Sequence, residues 1–280
     1  PASFVTPAAS FIDTTVTDFT AGAPDANLSI GLTADGELIL KPTAGAEFVG
    51  SSLPSGWSVI TSRAGGTNTV GGGVISVDGE EVGTSATYGA GHSFEAAANL
   101  AAVPFQHIGL GVNYSGSPGD AWAIFSTGSS GTGLVARSWT GSGAFDTQST
   151  AIAGSYLGAP QRYRIDWNPG SIEFYVNGTL VATHSVAIAL PMRPLLSDST
   201  VGGPSVAIDW VRMSPYAASG SFVSRVFDGG SSVTWNTLTA TGSQPVGTSF
   251  TIQTRTGNTS SPDGSWSAWA PVTGTTVASP

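Results

Sequence analysis

Apolar and β-branched residues recur along the chain in runs of about five to eight, each closed by Gly, Pro, Asn, Asp or Ser, which is the punctuation of short strands. The clearest runs are 36–40 (GELIL), 73–77 (GVISV), 108–114 (IGLGVNY), 122–126 (WAIFS), 133–139 (GLVARSW), 162–167 (RYRIDW), 171–176 (SIEFYV), 206–213 (VAIDWVRM), 222–227 (FVSRVF) and 249–254 (SFTIQT). No long stretch has the 3.6-residue period of an amphipathic helix. Residues 92–100 (HSFEAAANL) have helical propensity, but their flanks make them a strand. Asn177-Gly178 between two such runs predicts a tight hairpin, because a type I′ turn needs positive φ at both central residues.

Alternation within each run separates core from surface. Ile108, Leu110 and Val112 form an inward set, which turns His107, Gly109, Gly111 and Asn113 outward. Val135, Arg137 and Trp139 share one face. Tyr163, Ile165 and Trp167 point inward, leaving Arg162, Arg164 and Asp166 outside. Ile172, Phe174 and Val176 point inward, leaving Glu173 and Tyr175 outside.

Composition narrows the function classes. The 280 residues carry 9 basic and 18 acidic side chains, a net charge of −9, and Lys41 is the one lysine. A nucleic-acid partner requires a basic stripe, and an anionic membrane surface would repel this chain. No apolar run approaches the roughly 20 residues of a membrane-spanning helix. No signal peptide opens the sequence, which reads as a trimmed product. With no cysteine there is neither disulfide nor thiolate chemistry. One lysine among many Ser, Thr and Gly residues is a composition associated with bacterial extracellular or cell-surface proteins.

The texture changes near 215–220 (PYAASG), where long apolar strands give way to Thr- and Ser-rich ones with Trp235, Trp266 and Trp269. On a strand, Trp266 and Trp269 would face opposite sides, which makes one of them core.

Four ordered motifs carry a resemblance. Residues 47–57 (EFVGSSLPSGW), 71–77 (GGGVISV), 163–178 (YRIDWNPGSIEFYVNG) and 206–213 (VAIDWVRM) resemble segments of the concanavalin A-like lectin/glucanase superfamily, closest to laminin-G-like domains and laminarinase-type family-sixteen glycoside hydrolases. Residues 220–272 resemble a galactose-binding-like jelly roll of bacterial surface proteins, and 18–22 (DFTAG) with 35–40 (DGELIL) resemble its N-terminal part. The fold implied is all-β: a concanavalin A-like β-sandwich, or jelly roll, over 46–215. A second, smaller β-sandwich module joins 11–45 to 216–280, discontinuous and incomplete.

The resembling hydrolases carry Glu-x-Asp-x-(x)-Glu on one strand, because alternate residues face one cleft and two carboxylates about 5–5.5 Å apart are needed for retention. The matching strand here is 120–126 (DAWAIFS), where Asp120 is the one acid. The adjacent Glu80 and Glu81 would face opposite ways. His92, His107 and His184 form no zinc-site spacing.

In this superfamily a concave sheet face carries the ligand. The outward residues predicted to form it are His107, Asn113, Trp122, Arg137, Trp139, Arg164, Glu173 and Tyr175, a mixture of aromatic planes and planar polar groups suited to sugars. Trp139, followed by a Thr-Gly-Ser-Gly turn, is the leading exposed aromatic, whereas Trp122 has a core alternative and Arg164 an alternative as the cross-strand partner of Glu173. The resemblance also implies a structural Ca2+ held by Asp209, with Glu47 contributing.

The expected function is that of a non-catalytic extracellular carbohydrate-binding or surface-recognition module of a larger bacterial secreted protein. Its partner is a polysaccharide or cell-surface glycan, with no nucleic acid and no membrane insertion. One alternative is an assembly protein that self-associates through its sheet edges, the incomplete C-terminal module accepting a neighbour's strand. Another is a glycoside hydrolase that recruits Glu95, Asp166 and Glu173.

Overall fold

The computed structural model describes residues 10–143 and 146–277. A short helix, α1 (Val16–Thr20), precedes strands β1 (Ala23–Pro24), β2 (Leu28–Gly31), β3 (Glu37–Leu40), β4 (Pro42–Ala46), β5 (Trp57–Gly71) and β6 (Val74–Thr84). Then follow β7 (His92–Asn99), β8 (Gln106–Gly111), β9 (Trp122–Ser126), β10 (Leu134–Trp139), β11 (Gln148–Ile152), β12 (Gln161–Trp167), β13 (Ile172–Val176) and β14 (Thr179–His184). The chain continues through β15 (Arg193–Asp198), β16 (Val206–Tyr216), β17 (Phe222–Val223), β18 (Gln253–Thr254) and β19 (Ala270–Pro271). As expected, 92–99 is a strand. Asn177 and Gly178 both take positive φ, 51° and 80°, between β13 and β14.

The main sheet runs β11-β10-β9-β8-β15-β6-β16-β7-β12-β13-β14 and folds upon itself at β6. Residues 81–83 of β6 pair with β15, while 75–77 pair with β16. Gly79, with φ 66°, lies at the bend, where a Cβ would meet Val201 at 2.5 Å. The result is a jelly-roll β-sandwich: a front layer of β11, β10, β9, β8 and β15, and a back layer of β16, β7, β12, β13 and β14.

The facing sides of the two layers share one core. Ile108, Leu110, Ala123, Phe125 and Ala136 from the front meet Phe94, Tyr163, Ile165 and Phe174 from the back. Phe125 packs 5.0 Å from Tyr163 and 5.4 Å from Phe174, centroid to centroid. Buried His184 joins the layers through Ser138 Oγ at 2.7 Å and Thr150 Oγ1 at 3.1 Å. Both imidazole nitrogens are engaged and Ser138 is fully buried, so this Ser–His contact is a structural tie and not a nucleophile open to substrate.

The chain divides into two compact units, Pro24–Ser221 and a discontinuous one whose described parts are 10–23 and 222–277. The smaller module expected over 11–45 plus 216–280 therefore has different borders. Residues 24–45 belong with the central sandwich, because β4 pairs with β16 and Arg212 of β16 binds Glu37 at 2.8 Å and Glu47 at 3.1 Å. In the discontinuous unit, Arg225 bridges Asp13 and Asp18, and Phe11 packs against Phe227 and Trp235. Trp266 and Trp269 do not divide between core and surface there. They precede β19 instead of lying in one strand, and Arg255 stacks near both, at 5.6 and 4.5 Å.

Candidate functional site

Directly opposed residues in an antiparallel ladder point to one face. Three such rungs cross the outer side of the front layer. The first is Glu81, Ser197, His107, Ser126 and Val135. The second is Gly83, Leu195, Gly109, Ile124, Arg137 and Ser149. The third is Arg193, Gly111, Trp122 and Trp139. The sides of β9 are thereby fixed: Trp122, Ile124 and Ser126 look outward, Ala123 and Phe125 inward.

This outer face carries a second apolar cluster of Trp122, Ile124 and Trp139, with Tyr114 against it. Trp139 is 4% exposed and Trp122 2% exposed, and their ring centroids lie 4.6 Å apart. The expected exposed platform at Trp139 is therefore a covered aromatic layer. Asp146 accepts from Trp122 Nε1 at 3.1 Å and from Arg137 Nε at 2.8 Å, and the Arg137 guanidinium lies 5.9 Å from the Trp122 ring.

The eight predicted face residues do not form one site. His107, Trp122, Arg137 and Trp139 share the front face. Asn113 lies beside them in the loop after β8, where its Oδ1 accepts from Ser115 N. Arg164, Glu173 and Tyr175 lie on the outer side of the back layer, beyond the core. Alternation tells inside from outside along one strand, but not which layer the strand joins.

On the back layer Arg164 does not pair with Glu173. It opposes Tyr175 and stacks on its ring at 4.0 Å, and it bonds Asp166 at 2.9 Å, while Tyr175 Oη donates to Glu173 at 2.6 Å. Asp166 and Glu173 are cross-strand neighbours, and burial raises the Asp166 pKa. Glu95 is held by Arg162 at 2.6 Å.

The pair proposed for calcium does not fit an ion. Glu47 accepts from Leu32 N at 3.0 Å and from the Arg212 guanidinium, which spends its carboxylate on neighbours. Asp209 projects from a bulge of β16, exposed. Among the described residues no three His, Asp or Glu side chains converge on a common point.

Sequence reasoning missed the open part of the front face. A depression of about 320 Å³ lies beside the covered aromatics, lined by Phe105, Ser129, Ser130, Arg137, Asp146 and Ser149. Phe105 is 40% exposed and holds a left-handed φ of 62°, an unfavourable conformation for a bulky residue. The side chains of Arg137 and Asp146 are each 17% exposed, so the ion pair forms the floor. Phe105 stands one residue before β8, outside any alternating run, and Asp146 lies in the connection between β10 and β11, outside both strands. Neither had a periodic pattern to mark it.

Asp120, the acid of the 120–126 strand, is buried and caps its own loop, accepting from Ser115 Oγ at 2.5 Å and Ser117 N at 3.1 Å. Glu80 binds Ser62 and Asn68, whereas Glu81 accepts from Tyr114 N, so the adjacent acids have separate surroundings.

No family model matches this chain, and no curated protein matches it. Solved structures do align with it at low identity. The Bacillus licheniformis beta-glucanase is 17% identical over 61% of this chain and 97% of its own, with a TM-score of 0.46. The laminarinase from Flavobacterium sp. UMI-01 is 13% identical over 62% and 99%, with a TM-score of 0.48. The endo-beta-1,3-glucanase of Pyrococcus furiosus is 14% identical over 71% and 99%, with a TM-score of 0.49.

Proposed function

We propose that this protein is a non-catalytic, extracellular glycan-binding module. The observation that carries the reading is the depression on the front face, which exposed Phe105, the Arg137–Asp146 pair and Ser129, Ser130 and Ser149 line together. An aromatic face covers the C–H side of a pyranose, and planar charged groups with small hydroxyls satisfy its O–H groups. The outward residues of β9, Trp122, Ile124 and Ser126, give a glycosidic bond no acid and no carboxylate nucleophile. The ordered motifs at 47–57, 71–77, 163–178 and 206–213 support a carbohydrate-related role.

Phe105→Gly tests the reading. Glycine accepts a φ of 62° without strain, so the variant keeps or gains up to about 1 kcal/mol of stability. Its affinity on a polysaccharide array should nonetheless fall at least tenfold, as should that of Arg137→Ala. Retention of wild-type binding by both variants would refute the site.

A second reading, self-association, draws on the exposed Val246, Phe250 and Trp269 of the discontinuous unit. Concentration-dependent multimers in sedimentation, with no glycan bound, would favour it.

A further inference from the structure

The first rung of the front face contains a physical anomaly. His107 and Ser197 are cross-strand neighbours and both are buried, yet His107 Nδ1 and Ser197 Oγ have no hydrogen-bond partner among the described residues. The next residue on the rung, Glu81, is a buried carboxyl that takes a long bond of 3.3 Å from Tyr114 N and a side-chain bond from Thr61, its neighbour on the other side. Buried polar atoms without partners are rare, because each gives up its bonds to water and gains none in return. Burial, and then the nearby Arg137 charge, hold the imidazole neutral with a pKa of about 3, so it keeps a lone pair to offer a hydroxyl.

Tyr114 covers this rung. Its ring packs edge-on to His107 at 5.6 Å and to Trp122 at 6.4 Å. It occupies the space that Gly111 leaves, where a Cβ would meet the ring at 2.5 Å. The 112–121 loop that carries Tyr114 is anchored at its base, where Val112 and Ala121 pack into the core, and holds itself together above that base. Val112 N bonds Ala121 O at 2.9 Å across its base, and Asp120 caps Ser115 and Ser117 within it. Among the described residues, Tyr114 bonds the sheet through its backbone N–H to Glu81 and through Oη to Leu195 O at 3.0 Å. With its base fixed and its own internal bonds, the tip of the loop that carries Tyr114 can lift without unravelling.

We propose that Glu81, Ser197 and His107 form a closed saccharide subsite, taking neighbouring hydroxyls of a neutral sugar, and that Tyr114 is the strap that closes it. This rests on the glycan-binding reading and adds a second subsite, farther along the same face. While the strap is down, the apparent affinity is reduced by the fraction of molecules in which it is open. Removal of the strap therefore raises affinity, which a merely structural tyrosine would not do.

The experiment uses the whole chain and a panel of glucose-, galactose-, mannose- and xylose-based tetrasaccharides, titrated by calorimetry. Tyr114→Ala is expected to raise affinity for at least one tetrasaccharide fivefold or more. Gly111→Ala, which displaces the ring by its Cβ, is expected to do the same. Adding Ser197→Ala and His107→Phe to Tyr114→Ala should return affinity to the wild-type level or below. If Tyr114→Ala proves unfolded by circular dichroism, Gly111→Ala and Tyr114→Phe, which loses only the Leu195 bond, decide the matter. Folded strap variants that bind within twofold of wild type, while Phe105→Gly abolishes binding, overturn the strap alone. Failure of the wild type and every variant to bind any sugar on the panel or on a wider array overturns the glycan reading with it. In wild-type protein, sugar titration should also move the His107 imidazole 15N resonances, and unmoved resonances at saturation count against the subsite.

Discussion

Trp139 shows how one residue can be read correctly by chemistry and wrongly by position. An indole before a Gly-Ser turn looks like a binding platform. Here it is buried and stacks on Trp122, whose indole N–H donates to Asp146. Its replacement is therefore first a packing event. Trp139→Ala should cost about 3–5 kcal/mol, seen as a lower urea midpoint, because a large buried ring leaves a cavity. The first rung adds a pH signature. The unfolded chain binds a proton on His107 near pH 6.5, whereas the folded chain refuses it until about pH 3. Stability therefore falls as pH drops through that window, by up to roughly 5 kcal/mol. Glu81 acts in the opposite sense. Burial raises its pKa, so the folded chain keeps that proton longer, and stability falls as pH rises above its ordinary value of 4.5. Melting temperatures between pH 3 and 8 should show His107→Leu flattening the acid limb while leaving the Glu81 slope in place.

At the scale of elements, one side chain explains why residues 24–45 belong to the sandwich. Arg212 of β16 is nearly buried and holds Glu37 and Glu47 while stacking on Trp210 at 4.3 Å. Arg212→Met should cost about 3 kcal/mol, at the low end for a broken buried pair because Glu37 is 38% exposed. Limited proteolysis should then cut within the β2–β3 hairpin before any other part of the sandwich. The strands themselves were legible in the sequence. Apolar alternation located β8, β9, β10, β12 and β13, and Asn177-Gly178 fixed the hairpin, because period-two burial and positive φ are local properties. Layer membership is not local. Arg164, Glu173 and Tyr175 were assigned to one face with Arg137, since nothing along β12 or β13 says that β7 and β16 lie between them and β6. The open depression escaped notice for a related reason: Phe105 and Asp146 become neighbours only when β8 and β10 flank β9. That residues 24–45 pack with the sandwich is not local either, because the Arg212 clamp joins side chains far apart in sequence.

The charge of the whole molecule bears on which glycan it can hold. At −9 the chain repels polyanions, and Arg137, Arg162, Arg164, Arg212 and Arg225 are already paired with acidic neighbours. Arg137, the cation in the depression, is already balanced by Asp146 at 2.8 Å. A uronate or sulfate entering there would have to displace Asp146 and would meet the net negative field, whereas a neutral hydroxylated ring needs only hydrogen bonds. Binding should therefore favour neutral polysaccharides over carboxylated or sulfated ones. Such contacts do not depend on long-range attraction, so raising NaCl from 20 to 500 mM, which shortens the screening length well below 10 Å, should change the affinity for a neutral glycan less than twofold. A fall of tenfold or more over that range, measured on immobilised polysaccharide, would show that an exposed cation dominates binding. It would move the site away from the Arg137–Asp146 floor, toward a basic side chain with no carboxylate within reach.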